Sequence, residues 1–489
     1  MKYLLGIDFG GGASKATLMS EMGKVVATNT VEYPTYYPKS GYTEQNPQDW
    51  YNAAKESIAK VIEKGQIDAS DILAVAFDAA THTAVLCDDD FNVLCPSVYW
   101  TDTRSFDEVK ILKEQYADII SEQVLHAPDT IWTLPQLMWI KKNEPEIWAK
   151  TKKIFFAKDY VRHCLTGDYV TDYIEAEGSM MFDYNTLSWS KELCGILGIE
   201  TDMMPQIVKP ADIVGTVTTE AAKDTGLKEG TAVLCGTTDT VMEVFASGAV
   251  EKGNVTVKLA TAGRICVITD KSYPNKHLIN YSHIEDGLWY PGTATKSCAA
   301  SYRWYRDTFG GDYKELDEGA ENVEIGSDGL VFHPYLNGEL TPYANPKLCG
   351  SFVGVRAGHT KAHFTRAVLE GVAMSMLDCK NALEGIGIEH DETATIIGGG
   401  GKSPLWRQIL ADALGITLVE KKYNDSSFGT CMLAGVAMGV FNSPKDALEI
   451  CNETVSYTEP NMENHAKYQK LFKKYKAVCE ALAPIYNEE

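Results

Sequence analysis

Two aspartates each close a strand-like run and stand beside a turn of small residues. Residues 3–15 read YLLGIDFGGGASK, and residues 234–239 read LCGTTD. A carboxylate held on rigid β-structure, next to a glycine turn whose N–H groups no side chain screens, suits Mg²⁺ and polyphosphate together. Asp8 is the candidate for that role, with Gly10, Gly11, Gly12 and Lys15 as the phosphate turn. Two further glycine-rich strand ends follow, VKLATAG at 257–263 and TIIGGGGKS at 395–403. The spacings match neither Gly-x-x-x-x-Gly-Lys-Ser/Thr nor Gly-x-Gly-x-x-Gly with its downstream acid, so a different nucleotide fold is implied.

The elements that must position these groups are those of an α/β chain. The first run and its successor form a hairpin over residues 3–27, turning at Met22-Gly23-Lys24. Asn46-Pro47 opens an amphipathic helix over 50–64, and strands follow at 72–77 and 84–87. Long helical patterns are expected over 104–125 and 135–153. The strand-turn-strand opening recurs at 255–259 and 264–269, which suggests two domains of similar plan. Helices are expected over 368–383, 405–414 and the small-residue run 430–440, and a peripheral helix pair over 465–486.

At 489 residues the chain exceeds what one core sustains, and its 45% hydrophobic and 23% charged composition is that of an ordinary globular protein. The net charge of −22 argues against nucleic acid, yet leaves ATP open, because local amides and Mg²⁺ bind a triphosphate whatever the overall sign. No run is long and apolar enough for a membrane span, and the start MKYLLGIDFG has no signal-peptide pattern, so a cytoplasmic protein is expected. Twelve cysteines without a C-x-x-C pair read as free thiols. His359 and His363 are four apart, but no glutamate follows His359, and they are read as non-metal residues.

These segments, taken with GSFVGVRAGHTKAHFTRAVLE at 350–370, TLPQLMWIKKN at 133–143, WTDTR at 100–104, KDY at 158–160 and PYLNGE at 334–339, resemble the FGGY carbohydrate kinases, the xylulokinase branch most. The resemblance spans roughly residues 3–440. It implies two ribonuclease-H-like domains of the actin and Hsp70 ATPase type flanking a cleft: 1–248 for sugar, 249–442 for nucleotide, and 443–489 as peripheral helices. It implies Asp239 as catalytic base and Asp8 as the Mg²⁺ aspartate. It further implies Thr81, His82, Trp100 and Asp102 at the sugar, and Thr261, Gly399, Gly400 and Ser403 at the nucleotide.

The implied reaction is ATP-dependent phosphorylation of D-xylulose to D-xylulose 5-phosphate. The alternatives are another ketose, a polyol or a sugar acid, and, from another class, a non-catalytic nucleotide switch or sugar sensor. The expected partners are a small-molecule sugar and ATP, without nucleic acid or membrane, and a homodimer is left open. The chain departs from the family pattern at Gly11 and Gly12, at Ala260 and Ala262, and at Thr81, Gln136 and Leu340, where the family has hydroxyl residues, glycine and serine, methionine, lysine and arginine respectively.

Overall fold

A computed structural model describes residues 1–275 and 277–487. The chain forms two compact units, one of residues 1–250, 281–287 and 423–453, the other of residues 251–280, 288–422 and 454–489. The sequence division runs continuously along the chain, whereas residues 281–287 and 423–453 belong with the first unit.

In the first unit the chain opens with three antiparallel strands, Tyr3–Phe9, Ala13–Ser20 and Val25–Glu32. Strand Tyr3–Phe9 also pairs in parallel with Ile72–Ala79, which pairs in turn with Ala232–Leu234 and, further along, with Thr237–Thr238. Alternation decides the faces. Leu5, Ile7 and Phe9 enter a core with Phe77, Trp50, Ile58 and Val61, while Gly6 and Asp8 face the other way. Trp50, Ile58 and Val61 come from helix Pro47–Gly65, where Asn46 caps the first turn and Pro47 loses no hydrogen bond.

The small-residue run expected to pack closely does so against the sheet, as helix Ser426–Ala437. A Cβ on Gly6 would meet the Ser427 carbonyl at 2.2 Å, so only glycine allows this approach. The close packing brings the Thr430 hydroxyl onto Asp78 Oδ2.

The second unit repeats the plan. Val255–Leu259 pairs antiparallel with Gly263–Val267 and parallel with Thr393–Ile397, followed by Thr417–Lys421 and Thr454–Thr458. Helix Lys361–Gly385 runs buried beside this sheet. Its N-terminus uses His363, whose Nδ1 accepts the Thr360 N–H at 3.2 Å.

Three helical expectations change. Residues 104–125 form two helices, Phe106–Gln115 and Ala117–Gln123, and residues 135–153 break at Pro145 into Thr133–Asn143 and Pro145–Lys150. The expected terminal pair is one helix, Met462–Asn487, which buries Tyr468, Tyr475 and Cys479. No described helix is long and apolar enough to cross a membrane.

Candidate active site

The first unit gathers its chemistry at the carboxyl ends of neighbouring strands. Register places Lys15, Asp8, Asp78 and Thr237 in one row across four strands. Asp78 was not singled out in the sequence. The signal was there: one acid in the otherwise apolar strand ILAVAFDA.

Asp78 is fully buried and Asp8 half-buried beside it, and Oδ1 of each is itself buried without a hydrogen-bond donor. Burial, above all, pushes the Asp8 carboxyl up to about 7; a hydrogen bond with Asp78 pulls against it, and the charges of Asp239, Glu243 and Asp425 add to the rise. Asp78 is raised well above the carboxylate range by burial and then by the charge of Asp8. Lys15 does not neutralise them alone, since its Nζ lies 2.9 Å from Asp425.

The glycine turn is anchored by its carbonyls. Tyr33 OH donates to Gly10 O, Gln45 Nε2 to Gly11 O at 2.9 Å and Tyr33 N–H to Gly12 O at 2.9 Å. A Cβ on Gly11 would find only Tyr99 OH, at 3.5 Å.

Asp239 is the first residue of helix Asp239–Ala246, immediately after the short strand Thr237–Thr238. The turn before it requires glycine: Gly236 has φ +73°, and a Cβ there would lie 1.8 Å from the Phe77 carbonyl. Thr237 Oγ1 donates to Asp172 Oδ1 at 2.8 Å, which fixes the base of this turn.

Asp172 also caps helix Tyr173–Glu177, accepting from the N–H groups of Ile174 and Glu175, and pairs with the fully buried Lys158 at 2.8 Å. Glu175 in turn takes the His82 N–H. Two buried carboxylates, Asp172 and Glu175, thus tie the Asp239 turn to the loop that carries His82.

His82 sits at φ +53°, a left-handed backbone that an ordinary side chain adopts at a cost of about 1–3 kcal/mol. Its ring packs against Trp132 with centroids 4.8 Å apart, and Gly178 leaves the room it fills, since a Cβ there would lie 2.8 Å from Cδ2. Burial holds the imidazole neutral, lowering it to about 3. Nδ1 is buried and has no protein partner among the described residues.

Thr81 is half-buried beside it, and Trp100 is 41% exposed. Asp102 is buried and already engaged, accepting from Thr43 N–H at 2.6 Å and from Arg104 Nε at 3.0 Å. Arg104 also reaches Glu44 at 2.7 Å. The Arg104 guanidinium is therefore taken up by two carboxylates.

In the second unit a cavity of about 790 Å³ is lined by Thr261, Tyr302, Asp317, Gly399, Gly400 and Ser403, within the size range of small-molecule sites. Gly398 has φ +90°, and a Cβ on Gly400 would lie 2.7 Å from Leu259 Cγ, so these glycines serve packing. Ser403 caps helix Pro404–Leu414 and donates to Asp317 at 2.7 Å. Tyr302 OH donates to the same carboxylate at 2.6 Å. The helices that supply this wall, Ala299–Phe309 and Tyr313–Glu321, were not anticipated from sequence.

The family model for the N-terminal domain of the FGGY carbohydrate kinases matches residues 3–246, and that for the C-terminal domain matches residues 232–438. The chain is an FGGY carbohydrate kinase. As such it is an enzyme that transfers phosphate from ATP to a sugar, which sets aside the switch and the sensor. It is 31% identical to a xylulose kinase of Bacillus subtilis over 98% of this chain and 97% of that one. It is 30% identical to a gluconokinase of Bacillus licheniformis, over 99% and 97%. A ligand-bound xylulose kinase from Lactobacillus acidophilus superposes with TM-score 0.94 over 100% of both chains at 26% identity. Two α/β domains of the actin and Hsp70 type are thereby the fold of this kinase as well.

Proposed function

We propose that this kinase phosphorylates D-xylulose to D-xylulose 5-phosphate. Asp239 acts as general base: it accepts the proton of the attacking sugar hydroxyl as that oxygen closes on the γ-phosphorus of ATP. His82, neutral and with Nδ1 unpartnered, hydrogen-bonds the open-chain ketose, with Trp100 and Thr81 beside it. Asp102 orients this region through Arg104 and Thr43 rather than standing free.

Asp8 suits a hard divalent cation, because a buried carboxylate oxygen without a donor needs positive charge. Mg²⁺ bound there would neutralise phosphate charge as it develops. The nucleoside end of ATP belongs to the second-unit cavity, with Thr261, Gly399 and Gly400 against it. Free thiols throughout fit a reducing compartment, and we assign the enzyme to the cytoplasm.

The observation that carries a neutral ketose over a sugar acid is the state of Arg104. An aldonate carboxylate would need a cation of its own, and this guanidinium is committed to Asp102 and Glu44. Comparison of kcat/KM for D-xylulose, D-gluconate and glycerol tests the reading. D-xylulose is expected to lead each competitor by about 100-fold or more. Equal or higher kcat/KM for gluconate would overturn it.

The nucleotide assignment has its own test. A Cβ on Gly399 meets nothing within 4 Å and its backbone is not left-handed, so Gly399→Ala should fold like wild type. With a nucleoside against it, the methyl group intrudes, and the ATP KM is expected to rise about fivefold or more while the sugar KM stays unchanged. An unchanged ATP KM would remove Gly399 from the nucleotide site.

A further inference from the structure

We propose that Asp78 is a second protein carboxylate for the divalent cation, so that this chain holds Mg²⁺ or Mn²⁺ on the Asp8–Asp78 pair before nucleotide arrives. The inference rests on the reading of Asp8 as a metal-holding residue and goes beyond it. The first support is register: Asp8 and Asp78 are direct partners on adjacent parallel strands, so their side chains leave the same face of the sheet side by side. Helix Ser426–Ala437 is on that face, and its Thr430 hydroxyl takes Asp78 Oδ2.

The second support is independent of the acidic character. Oδ1 of both residues is buried without a donor, and the nearest cation in the row, Lys15, is spent on Asp425. Two adjacent carboxylates whose Oδ1 atoms are out of water repel unless positive charge lies between them, and a strand otherwise built of apolar residues gains nothing from a fully buried acid such as Asp78. Mg²⁺ is commonly held by one or two carboxylates with water and phosphate completing the shell, which is the donor set this pair offers.

The experiment uses nucleotide-free, full-length protein titrated with Mn²⁺, with the free aqueous ion followed by electron paramagnetic resonance. Wild type is expected to bind one Mn²⁺ per chain. Asp78→Asn, which keeps an acceptor for Thr430, and Asp78→Ser, a second variant of smaller volume, should each weaken binding about tenfold or more, and Asp8→Asn likewise. Circular dichroism establishes which variants are folded before titration. Wild type that leaves all Mn²⁺ free, or folded Asp78 variants that bind like wild type, overturns the proposal. Loss in Asp8→Asn with retention in the Asp78 variants would reject Asp78 alone. Retention in Asp8→Asn would reject the reading of Asp8 beneath it.

Discussion

Asp239→Asn is expected to lower kcat by about 10²- to 10⁴-fold, the usual scale for loss of a general base. The amide keeps the size and most hydrogen bonds of the carboxylate, so the turn after Thr237–Thr238 should be preserved. Ketose binding should also survive, because the carboxylate matters most when the hydroxyl gives up its proton. The measurement is steady-state turnover at saturating ATP and D-xylulose, together with D-xylulose binding by calorimetry. Near wild-type kcat would contradict the assignment. Loss of ketose binding in equal measure would make Asp239 a binding residue instead.

His82→Ala is expected to raise the D-xylulose KM on the order of 5- to 150-fold, equivalent to about 1–3 kcal/mol for an unmade buried hydrogen bond, with the ATP KM nearly constant. The positive φ at His82 complicates an alanine there. His82→Asn separates the two effects, because asparagine tolerates the left-handed backbone and lacks the imidazole. A rise in sugar KM for both variants assigns the effect to the ring. Equal change in the two substrates' KM values would move His82 out of the sugar site.

Much of the fold was legible because its signals are local. The glycine turn after Asp8, the Asn46-Pro47 helix start and the repeated strand openings are each carried within a few residues. The breaks in the long helices were harder to see. Pro145 does mark one of them, yet periodicity continues across it on both sides. The assignment of segments 281–287 and 423–453 to the first unit leaves no composition shift, since it depends on which residues each segment packs against.

The site was legible where a single residue type sits at the end of a strand. Asp8, His82 and Asp239 are of that kind, and their roles remain proposals that the variants above test. What sequence could not supply is the pairing across strands. Asp78 faces Asp8 only because the parallel register brings residues seventy apart into contact, and Asp102 is occupied only because Arg104 and Thr43 fold back onto it. The cavity wall built from Tyr302, Asp317 and Ser403 likewise joins three separate elements.

The measurement that bears most directly on the account is ³¹P and ¹³C NMR of the purified enzyme turning over ATP, Mg²⁺ and D-xylulose. The account predicts phosphate carried on C5 of the ketose, appearing in step with ADP and only when sugar is present. Release of ADP with inorganic phosphate alone, at a rate that D-xylulose does not change, would contradict it.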